Sequence, residues 1–240
     1  MIVTDLDGTL LGDDEALATF RDWVGGRRDR LRLVYASGRS VAAVCELIAA
    51  GRLPEPDAVI TGVGTEIHVA GTGGASGWRP WPGWLERFGD WSADHVREAL
   101  AGYPGLEAQD PVHQTGRKAS YDTLQLEERD LAAIRQALAR RGIPARLVYS
   151  AGRFLDVIPP GAGKGPAARF LADAWSLPAH DVLAFGDSGN DADLLSAGFR
   201  GTLVANALPE LDAVVDGDVY RSPLAFAAGV LDGIRFWSER

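Results

Sequence analysis

The stretch MIVTDLDGTLL, residues 1–11, decides how the rest of the chain is interpreted. Its apolar run, residues 1–3, has the length of a buried strand and is followed by two carboxylates, Asp5 and Asp7. Side chains two positions apart lie on the same side of an extended chain, and Gly8 allows a sharp turn directly after them. The pattern therefore predicts two acids at the carboxyl end of a strand, where open α/β sheets bind ligands.

Two carboxylates this close repel each other, and a divalent cation between them would keep both ionised. Mg²⁺ suits the pair because it prefers oxygen ligands and binds together with phosphate oxygens. The same residues could instead form an acidic β-turn, since Asp-Gly pairs commonly mark turns. A calcium-binding loop is excluded, because Ala16 stands where the twelfth-position glutamate of such a loop is required.

The composition is that of a globular protein. The chain has 240 residues, 46% of them hydrophobic, enough for one large core or for a core with a smaller second unit. Its 24 basic residues against 33 acidic ones leave a net charge of −9, which disfavours nucleic acid and anionic membranes as partners. Cys45 is the single cysteine, no apolar run is long enough to span a membrane, and the N-terminus lacks the basic region of a signal peptide. We therefore expect a cytoplasmic protein.

Strands and helices alternate after the acidic turn. Periodicity predicts a helix over residues 15–24, a strand over 31–36, a helix over 41–50, and a hairpin of strands 58–61 and 65–69. Ser37 lies between the second strand and its helix, where helix amides and a hydroxyl can bind a phosphate oxygen. Alternatively, Ser37 and Ser40 only cap the helix.

The composition changes after residue 70, where Gly, Pro and four of the seven tryptophans are concentrated. We place a domain boundary there and predict a core of residues 1–77 and 160–240 with an inserted cap of residues 78–159. The insert is predicted to form strands over residues 117–126, 145–149 and 153–158 and helices over 93–100 and 127–141, as a small sheet with helices on one face. The tryptophans are more typical of packing than of contact with a sugar ring.

Two further places carry charged side chains at a helix start or a strand end. Lys164 opens a predicted helix, which is unfavourable for a cation unless a bound anion compensates the helix dipole. It could alternatively be a solvated surface lysine. A predicted strand over residues 181–185 is followed by an acidic cluster that contains Asp187, Asn190 and Asp191. A second strand thus brings carboxylates to its carboxyl end.

Four motifs follow one another along the chain: DLDGT from residue 5, ASGR from residue 36, GKG from residue 163 and GDSGND from residue 186. In this order they resemble the haloacid dehalogenase (HAD) superfamily of phosphatases over the whole chain. The resemblance implies an α/β fold with a Rossmann-like core built on a parallel sheet. The insert is placed like the smaller α/β cap of the IIB members (C2B type), which include Cof-like sugar phosphatases and phosphomannomutases.

The resemblance implies a role for each motif. Asp5 resembles the nucleophile that accepts the phosphoryl group, and Asp7 resembles the acid that protonates the leaving oxygen and later activates water. The implied phosphate ligands are Ser37, Gly38, Lys164 and Asn190. The implied Mg²⁺ site consists of Asp5, Asp7 through its backbone carbonyl, Asp187 and Asp191.

Within this subgroup, stretches such as TGVGTEIH, RKASYDT and VANALPEL resemble the sucrose-6-phosphate phosphatases, which implies hydrolysis of sucrose 6-phosphate to sucrose and phosphate. The expected sugar contacts are Arg39, Glu66, Lys118, Tyr121 and Arg153. The chain departs from that family's pattern at Arg153-Phe154, where the family has Lys-Asp, and at Arg117, where it has an aromatic residue. Mannosylfructose phosphate, other glycosyl phosphates and a broad Cof-like specificity therefore stay open.

Other functions share the same core. A phosphomutase uses the same nucleophile, and a phosphosugar-binding protein could keep the fold without catalysis, although the complete set of acids with Lys164 argues against it. The expected partner is a small sugar phosphate, with neither nucleic acid nor a membrane, and the expected state is a monomer. Glycine-rich junctions at residues 71–77 and 161–163 predict that the cap closes over the core.

Overall fold

The structure, a computed structural model, describes residues 1–71, 77–212, 215 and 219–240. Its strands are β1 (Ile2–Thr4), β2 (Leu33–Ala36), β3 (Ala58–Thr61), β4 (Glu66–Ala70), β5 (Trp78–Pro80), β6 (Leu106–Ala108), β7 (Ala119–Thr123), β8 (Arg146–Ser150), β9 (Phe154–Ile158), β10 (Leu183–Gly186), β11 (Arg200–Leu203) and β12 (Tyr220–Arg221). Its helices are α1 (Asp14–Gly25), α2 (Val41–Ala49), α3 (Ala93–Ala99), α4 (Glu128–Arg140), α5 (Lys164–Ala174), α6 (Ala192–Leu195), α7 (Pro209–Asp212) and α8 (Phe226–Ser238). Among the residues described, no helix has the length and apolar character needed to cross a membrane.

The larger sheet has eight strands in the order β12-β11-β10-β1-β2-β3-β4-β5. Neighbouring strands are parallel from β12 to β3, whereas β4 and β5 are added antiparallel. The predicted parallel sheet and the predicted hairpin after β3 are both confirmed. Strand β1 lies between β10 and β2, with Val3 opposite both Ala184 and Val34, so the carboxyl ends of these three strands meet.

Helices cover both faces of this sheet, because successive residues of a strand point into two different cores. Val3 belongs to one core and Ile2 to the other. The first core includes Ala167, Ala168 and Leu171 of α5, and the second includes Leu17, Phe20 and Val24 of α1 with Ala227, Val230 and Ile234 of α8. This doubly wound arrangement leaves the loops at the carboxyl ends of the strands to bind a ligand.

The smaller sheet, β6-β7-β9-β8, is antiparallel throughout. Helices α3 and α4 pack on one of its faces, where Tyr121 joins Val96 and Ile134 in a third hydrophobic core. Because side chains alternate along a strand, Ser120 of β7 and its partner Asp156 of β9 lie on the opposite face. The predicted small sheet with helices on one face is confirmed.

The sequence does not predict β5, whose residues lie in the stretch rich in Gly, Pro and Trp. Strand β5 nevertheless pairs with β4, so residues 78–80, which the sequence assigns to the cap, form the edge of the larger sheet. Trp84 is buried and packs against Phe170 of α5, which confirms a packing role for this tryptophan. The remaining domain limits and cap closure stay predictions, and residues 72–76 of the first glycine-rich junction lie outside the described residues.

Candidate active site

Buried polar residues from three parts of the chain meet at the carboxyl end of β1. The ammonium group of Lys164, the first residue of α5, donates hydrogen bonds of 2.6 Å to Asp5 Oδ1, Asn190 Oδ1 and Asp191 Oδ1. Lys164 and Asp191 are completely buried, and Asp5 is nearly so. The structure therefore brings together four of the predicted phosphate and metal ligands. The alternative interpretation of Lys164 as a solvated surface lysine is wrong.

The turn after β1 fits closely against the loop after β10. Gly8 has a φ of +86°, and a Cβ at this position would lie 2.4 Å from Asp187 Oδ2, so only glycine fits. Thr9 Oγ1 donates a 2.7 Å hydrogen bond to Asp187 Oδ1. Asp191 Oδ2 accepts a 3.0 Å hydrogen bond from the main-chain nitrogen of Asp187. These contacts orient Asp187 and Asp191 relative to Asp5.

Burial and mutual repulsion perturb these acids. Burial raises the pKa of Asp5 well above its usual range; Lys164 opposes the shift, while the charges of Asp191 and Asp187 add to it. Burial likewise raises the pKa of Asp187 to about 7, with the charge of Asp191 adding to the effect. Burial by itself would lower the pKa of Lys164, but the carboxylates of Asp191 and Asp5 outweigh it and hold that pKa above its usual value. The lysine therefore stays protonated beside an excess of acidic groups.

Three of the acids could hold a divalent cation. One carboxylate oxygen from each of Asp5, Asp187 and Asp191 lies within 4.8 Å of the other two. Three carboxylates exceed the single charge of Lys164, and hard oxygen donors of this kind are what Mg²⁺ prefers. The residues present therefore fit Mg²⁺. The carboxylate of Asp7 lies outside this group, so a role for Asp7 at the metal would rest on its backbone carbonyl.

Asp7 is held by Arg39 on the more open side of the site. Arg39 donates from Nε to Asp7 Oδ2 at 2.8 Å and from Nη2 to Asp7 Oδ1 at 2.6 Å. The Asp7 side chain is 53% exposed and the Arg39 side chain 38%. A bidentate pair of this kind fixes the orientation of the carboxylate. Arg39, predicted as a sugar contact, thus reaches the site through Asp7.

Ser37 and Gly38 follow β2 beside these acids. Ser37 is completely buried, and its Oγ accepts a 3.1 Å hydrogen bond from the main-chain nitrogen of Arg39. Ser40 caps α2 by accepting a hydrogen bond from the main-chain nitrogen of Ala43. The capping alternative is therefore confirmed for Ser40, whereas phosphate binding by Ser37 and Gly38 stays a prediction.

A cavity of about 490 Å³ opens above the acids, between the larger sheet and the cap. Asp5, Asp7, Gly38 and Asn190 line its core side. The cap side includes Val112, Lys118, Asp122, Arg153, Phe154 and Asp156. One space therefore connects the candidate phosphate site with a largely polar surface of the cap.

Three of the predicted sugar contacts line this cavity: Arg39 on the core side, and Lys118 and Arg153 on the cap side. Lys118 is 3% exposed, and its Nζ donates to Ser120 Oγ at 2.7 Å and to Asp156 Oδ1 at 3.3 Å. Arg153 is more exposed and donates from Nε to Asp122 Oδ1 at 3.2 Å. Both cations therefore already have acidic partners within the cap.

The other two predicted sugar contacts, Glu66 and Tyr121, do not line this cavity. Glu66 Oε2 accepts hydrogen bonds of 3.1 Å from Thr61 Oγ1 and His68 Nε2, and the bond from His68 lowers the pKa of Glu66. Tyr121 of β7 is buried in the cap core, because it lies an odd number of positions after Lys118 and so faces the helices. The structure does not bring Tyr121 to the cavity.

Several residues of the cavity were not predicted from the sequence, among them Val112, Phe154 and Asp156. A single acid inside the otherwise apolar strand β9 is the signal that could have identified Asp156. Val112 and Phe154 are large apolar side chains that remain 62% and 37% exposed. Only the tertiary structure shows that both line the same cavity.

Comparison with known proteins shows extended similarity. A family model described as sucrose-6F-phosphate phosphohydrolase matches residues 1–238. The mannosylfructose-phosphate phosphatase of Agrobacterium fabrum is 32% identical over 243 residues, which cover 99% of this chain and 96% of that protein. Sucrose-phosphatase 1 of Nicotiana tabacum is 36% identical over 223 residues, which cover 88% of this chain but only 51% of that protein. The chain thus spans about half the length of this plant relative.

Solved structures show the same fold. The sucrose-phosphatase of Synechocystis, solved in complex with sucrose and phosphate, superimposes with a TM-score of 0.89 at 31% identity, covering 99% of this chain and 97% of that one. A sugar phosphatase of HAD subclass IIB superimposes with a TM-score of 0.67 at 14% identity and covers 99% of this chain and 97% of that one. The expected HAD fold, an α/β core with an added cap, is confirmed.

Proposed function

The chain belongs to the sucrose-6F-phosphate phosphohydrolase family of phosphoric monoester hydrolases, and on that premise we propose that it hydrolyses sucrose 6-phosphate to sucrose and phosphate. The reaction depends on Mg²⁺ and passes through an aspartyl-phosphate on Asp5. The observation that carries this proposal is the single cavity that connects the buried acids around Lys164 with the polar surface of the cap.

Asp5 acts as the nucleophile. Its carboxylate borders the cavity and is held by Lys164 at 2.6 Å. An Asp5 oxygen forms a bond to phosphorus while the bond between phosphorus and the sugar oxygen breaks. Asp7, which borders the same cavity, donates a proton to the leaving oxygen and then accepts one from the water that cleaves the aspartyl-phosphate. Arg39 keeps the Asp7 carboxylate oriented between these steps.

A carboxylate can approach a phosphate dianion only where the negative charge is offset. Lys164 contributes one positive charge beneath Asp5. Asp5, Asp187 and Asp191 would hold Mg²⁺, which supplies Lewis-acid neutralisation of phosphate oxygens when bound. Ser37, Gly38 and Asn190 supply hydrogen bonds that orient the phosphoryl group.

The cap side of the cavity selects the sugar. Lys118, Arg153 and Asp156 offer donors and acceptors for hydroxyl groups. Phe154 and Val112 offer exposed apolar surface to the C–H faces of a sugar ring. The cavity volume of about 490 Å³ is within the usual range of small-molecule sites.

A second candidate substrate is mannosylfructose phosphate. The Agrobacterium fabrum protein named for this substrate aligns over 99% of the chain. The Arg153-Phe154 pair also departs from the Lys-Asp pattern of the sucrose-6-phosphate phosphatases, and neither replacement is conservative. The two substrates therefore belong in the same test.

The proposal is tested by phosphate release from sucrose 6-phosphate, mannosylfructose phosphate, trehalose 6-phosphate and glucose 6-phosphate, with Mg²⁺ and with EDTA. We expect kcat/KM for sucrose 6-phosphate to exceed the others by roughly tenfold or more, and EDTA to abolish turnover. A preference for mannosylfructose phosphate would establish the second candidate. Equal rates on all four would indicate a broad sugar phosphatase, and full activity in EDTA would contradict the proposed metal dependence.

A further inference from the structure

One carboxylate connects the cap with the loop that carries the catalytic acids. Glu210 Oε1 accepts a 2.8 Å hydrogen bond from the main-chain nitrogen of Ala151, in the turn between β8 and β9 of the cap. The same oxygen accepts a 2.8 Å hydrogen bond from the main-chain nitrogen of Gly189, in the loop after β10. We call residues 149–154 the cap hairpin and residues 186–191 the acidic loop. Glu210 therefore bonds to both at once.

The cap hairpin lies directly on the acidic loop. A Cβ added to Gly189 would lie 2.6 Å from the carbonyl oxygen of Tyr149, so the contact requires glycine at this position. Such a close approach leaves no space for water between the two backbones. The acidic loop therefore forms the surface on which the cap hairpin rests.

Glu210 itself is held by the core. It lies on α7, whose residue Leu211 is completely buried in the first core. Just before α7, the main-chain nitrogen of Leu208 donates a 2.7 Å hydrogen bond to the carbonyl oxygen of Asp187. The Glu210 carboxylate thus lies on a segment that is itself hydrogen-bonded to the acidic loop.

The two segments that Glu210 joins carry opposite ends of the candidate substrate site. The cap hairpin contributes Ser150, Arg153 and Phe154 to the cavity. The acidic loop contributes Asn190, which is bonded to Lys164. We propose that Glu210 is a positioning residue, which sets the distance between the sugar-contacting hairpin and the phosphate-binding loop. This inference rests on the proposed function.

Another contact between cap and core would survive the loss of Glu210. Arg146, at the far end of β8 from the turn, lies 2.9 Å from Asp193 Oδ2 and donates a 2.9 Å hydrogen bond from Nη1 to the carbonyl oxygen of Ala162. Removing the Glu210 carboxylate should therefore release the cap hairpin without detaching the cap. The expected effect is local.

The kinetic test compares Glu210→Ala, Glu210→Gln and the control Glu98→Ala, which removes an exposed glutamate of cap helix α3 outside the cavity. For the preferred sugar phosphate we expect Glu210→Ala to raise KM and lower kcat/KM about tenfold or more, since two hydrogen bonds to an ionised acceptor are lost. For acetyl phosphate, which has no sugar to reach the cap, we expect kcat/KM within about twofold of the wild type. Glu210→Gln keeps an oxygen acceptor of the same length and should recover most of the loss, and Glu98→Ala should change nothing.

Amide hydrogen exchange separates this inference from the proposed function. In Glu210→Ala, peptides that contain Ala151 and Gly189 should exchange faster, while peptides from α4 should not. This readout needs no substrate, so it holds even if no sugar phosphate is hydrolysed, which would refute the proposed function alone. Unchanged exchange at both amides, or equal losses with acetyl phosphate and the sugar phosphate, would overturn the positioning role.

Discussion

The chain contains two lysines, Lys164 beneath the core side of the cavity and Lys118 on its cap side. Lys164 belongs to the floor of the site, which we define as Asp5, Lys164, Asp187, Asn190 and Asp191. Lys118 belongs to the cap wall, which we define as Lys118, Arg153, Phe154 and Asp156. Both lysines are buried, yet Lys164 makes three hydrogen bonds of 2.6 Å to two distant segments of the chain, whereas Lys118 bonds to neighbours in the cap sheet.

This difference indicates that the floor and the cap wall have different roles. The floor is tied together across most of the chain, so a change there disturbs several elements at once. The cap wall is organised by cross-strand neighbours such as Ser120 and Asp156, which can be altered without moving the floor. We therefore expect floor residues to determine whether the reaction proceeds, and cap-wall residues to determine which sugar enters.

Asp5→Asn should have the largest effect. The amide cannot form the aspartyl-phosphate, so we expect kcat to fall by at least about a thousandfold. The measurement is phosphate release under saturating Mg²⁺ with a matched control, Asp22→Asn, which changes an exposed acid of α1. Activity within tenfold of the wild type would eliminate Asp5 as the nucleophile.

Lys164→Ala and Lys118→Ala compare the two ends directly. Lys164→Ala leaves buried carboxylates without their cation, so we expect the free energy of unfolding to fall by about 3 kcal/mol and turnover to be lost. Lys118→Ala should cost about 1 to 2 kcal/mol and act mainly on KM for the sugar phosphate. Urea unfolding and steady-state kinetics measure both quantities. Equal losses in the two variants would remove the distinction between floor and cap wall.

Mg²⁺ should stabilise the folded protein through the floor. At a concentration about a hundred times the dissociation constant, we expect a rise in Tm of roughly 5 to 10 °C. Thermal unfolding with MgCl₂, against NaCl of equal ionic strength, measures the shift. Asp187→Asn removes one of the three carboxylates and should reduce it. A full shift in that variant would place the cation elsewhere.

The floor should also determine how the free energy of unfolding of the metal-free protein depends on pH. Burial holds the pKa of Asp187 at about 7, well above the value of about 3.9 in an unfolded chain. Between these values the folded protein binds a proton that the unfolded chain has released, and this proton stabilises the folded state. Its contribution to the free energy of unfolding is complete below about pH 4 and is lost as the pH rises through about 7. Urea unfolding in EDTA from pH 5 to pH 8 should show falling stability, and Asp187→Asn should flatten the curve. A rise in stability over this interval would contradict the sign.

Phe154→Ala should have the smallest effect and should be confined to the sugar. Losing one apolar surface against a sugar ring should raise KM for the disaccharide phosphate about three- to tenfold with little change in kcat. Leu124→Ala is the matched control, because Leu124 is 88% exposed on the cap and does not line the cavity. An unchanged KM, or an equal change for acetyl phosphate, would exclude Phe154 from the cap wall.

The sequence by itself determined the floor of the site. Strand ends, glycine turns and adjacent acids are local patterns, and parallel strands carry such patterns to one edge of a sheet. The positions of Asp5, Asp187, Asn190, Asp191 and Lys164 could therefore be identified without the fold, and their expected roles came from the resemblance of the four motifs to the HAD phosphatases. The lysine at a helix start was informative because its position is unfavourable without an anionic partner.

Only the tertiary structure decided the cap wall and its connection to the floor. Which face of a strand meets the cavity depends on register, and a shift of one residue reverses it, which is why Tyr121 faces the cap core while Lys118 faces the cavity. Glu66 is held by Thr61 and His68, and residue types alone do not specify the register that places Glu66 opposite Thr61 in the predicted hairpin. Glu210 reaches Ala151 across 59 positions of the chain, and no local pattern predicts a contact between residues so far apart.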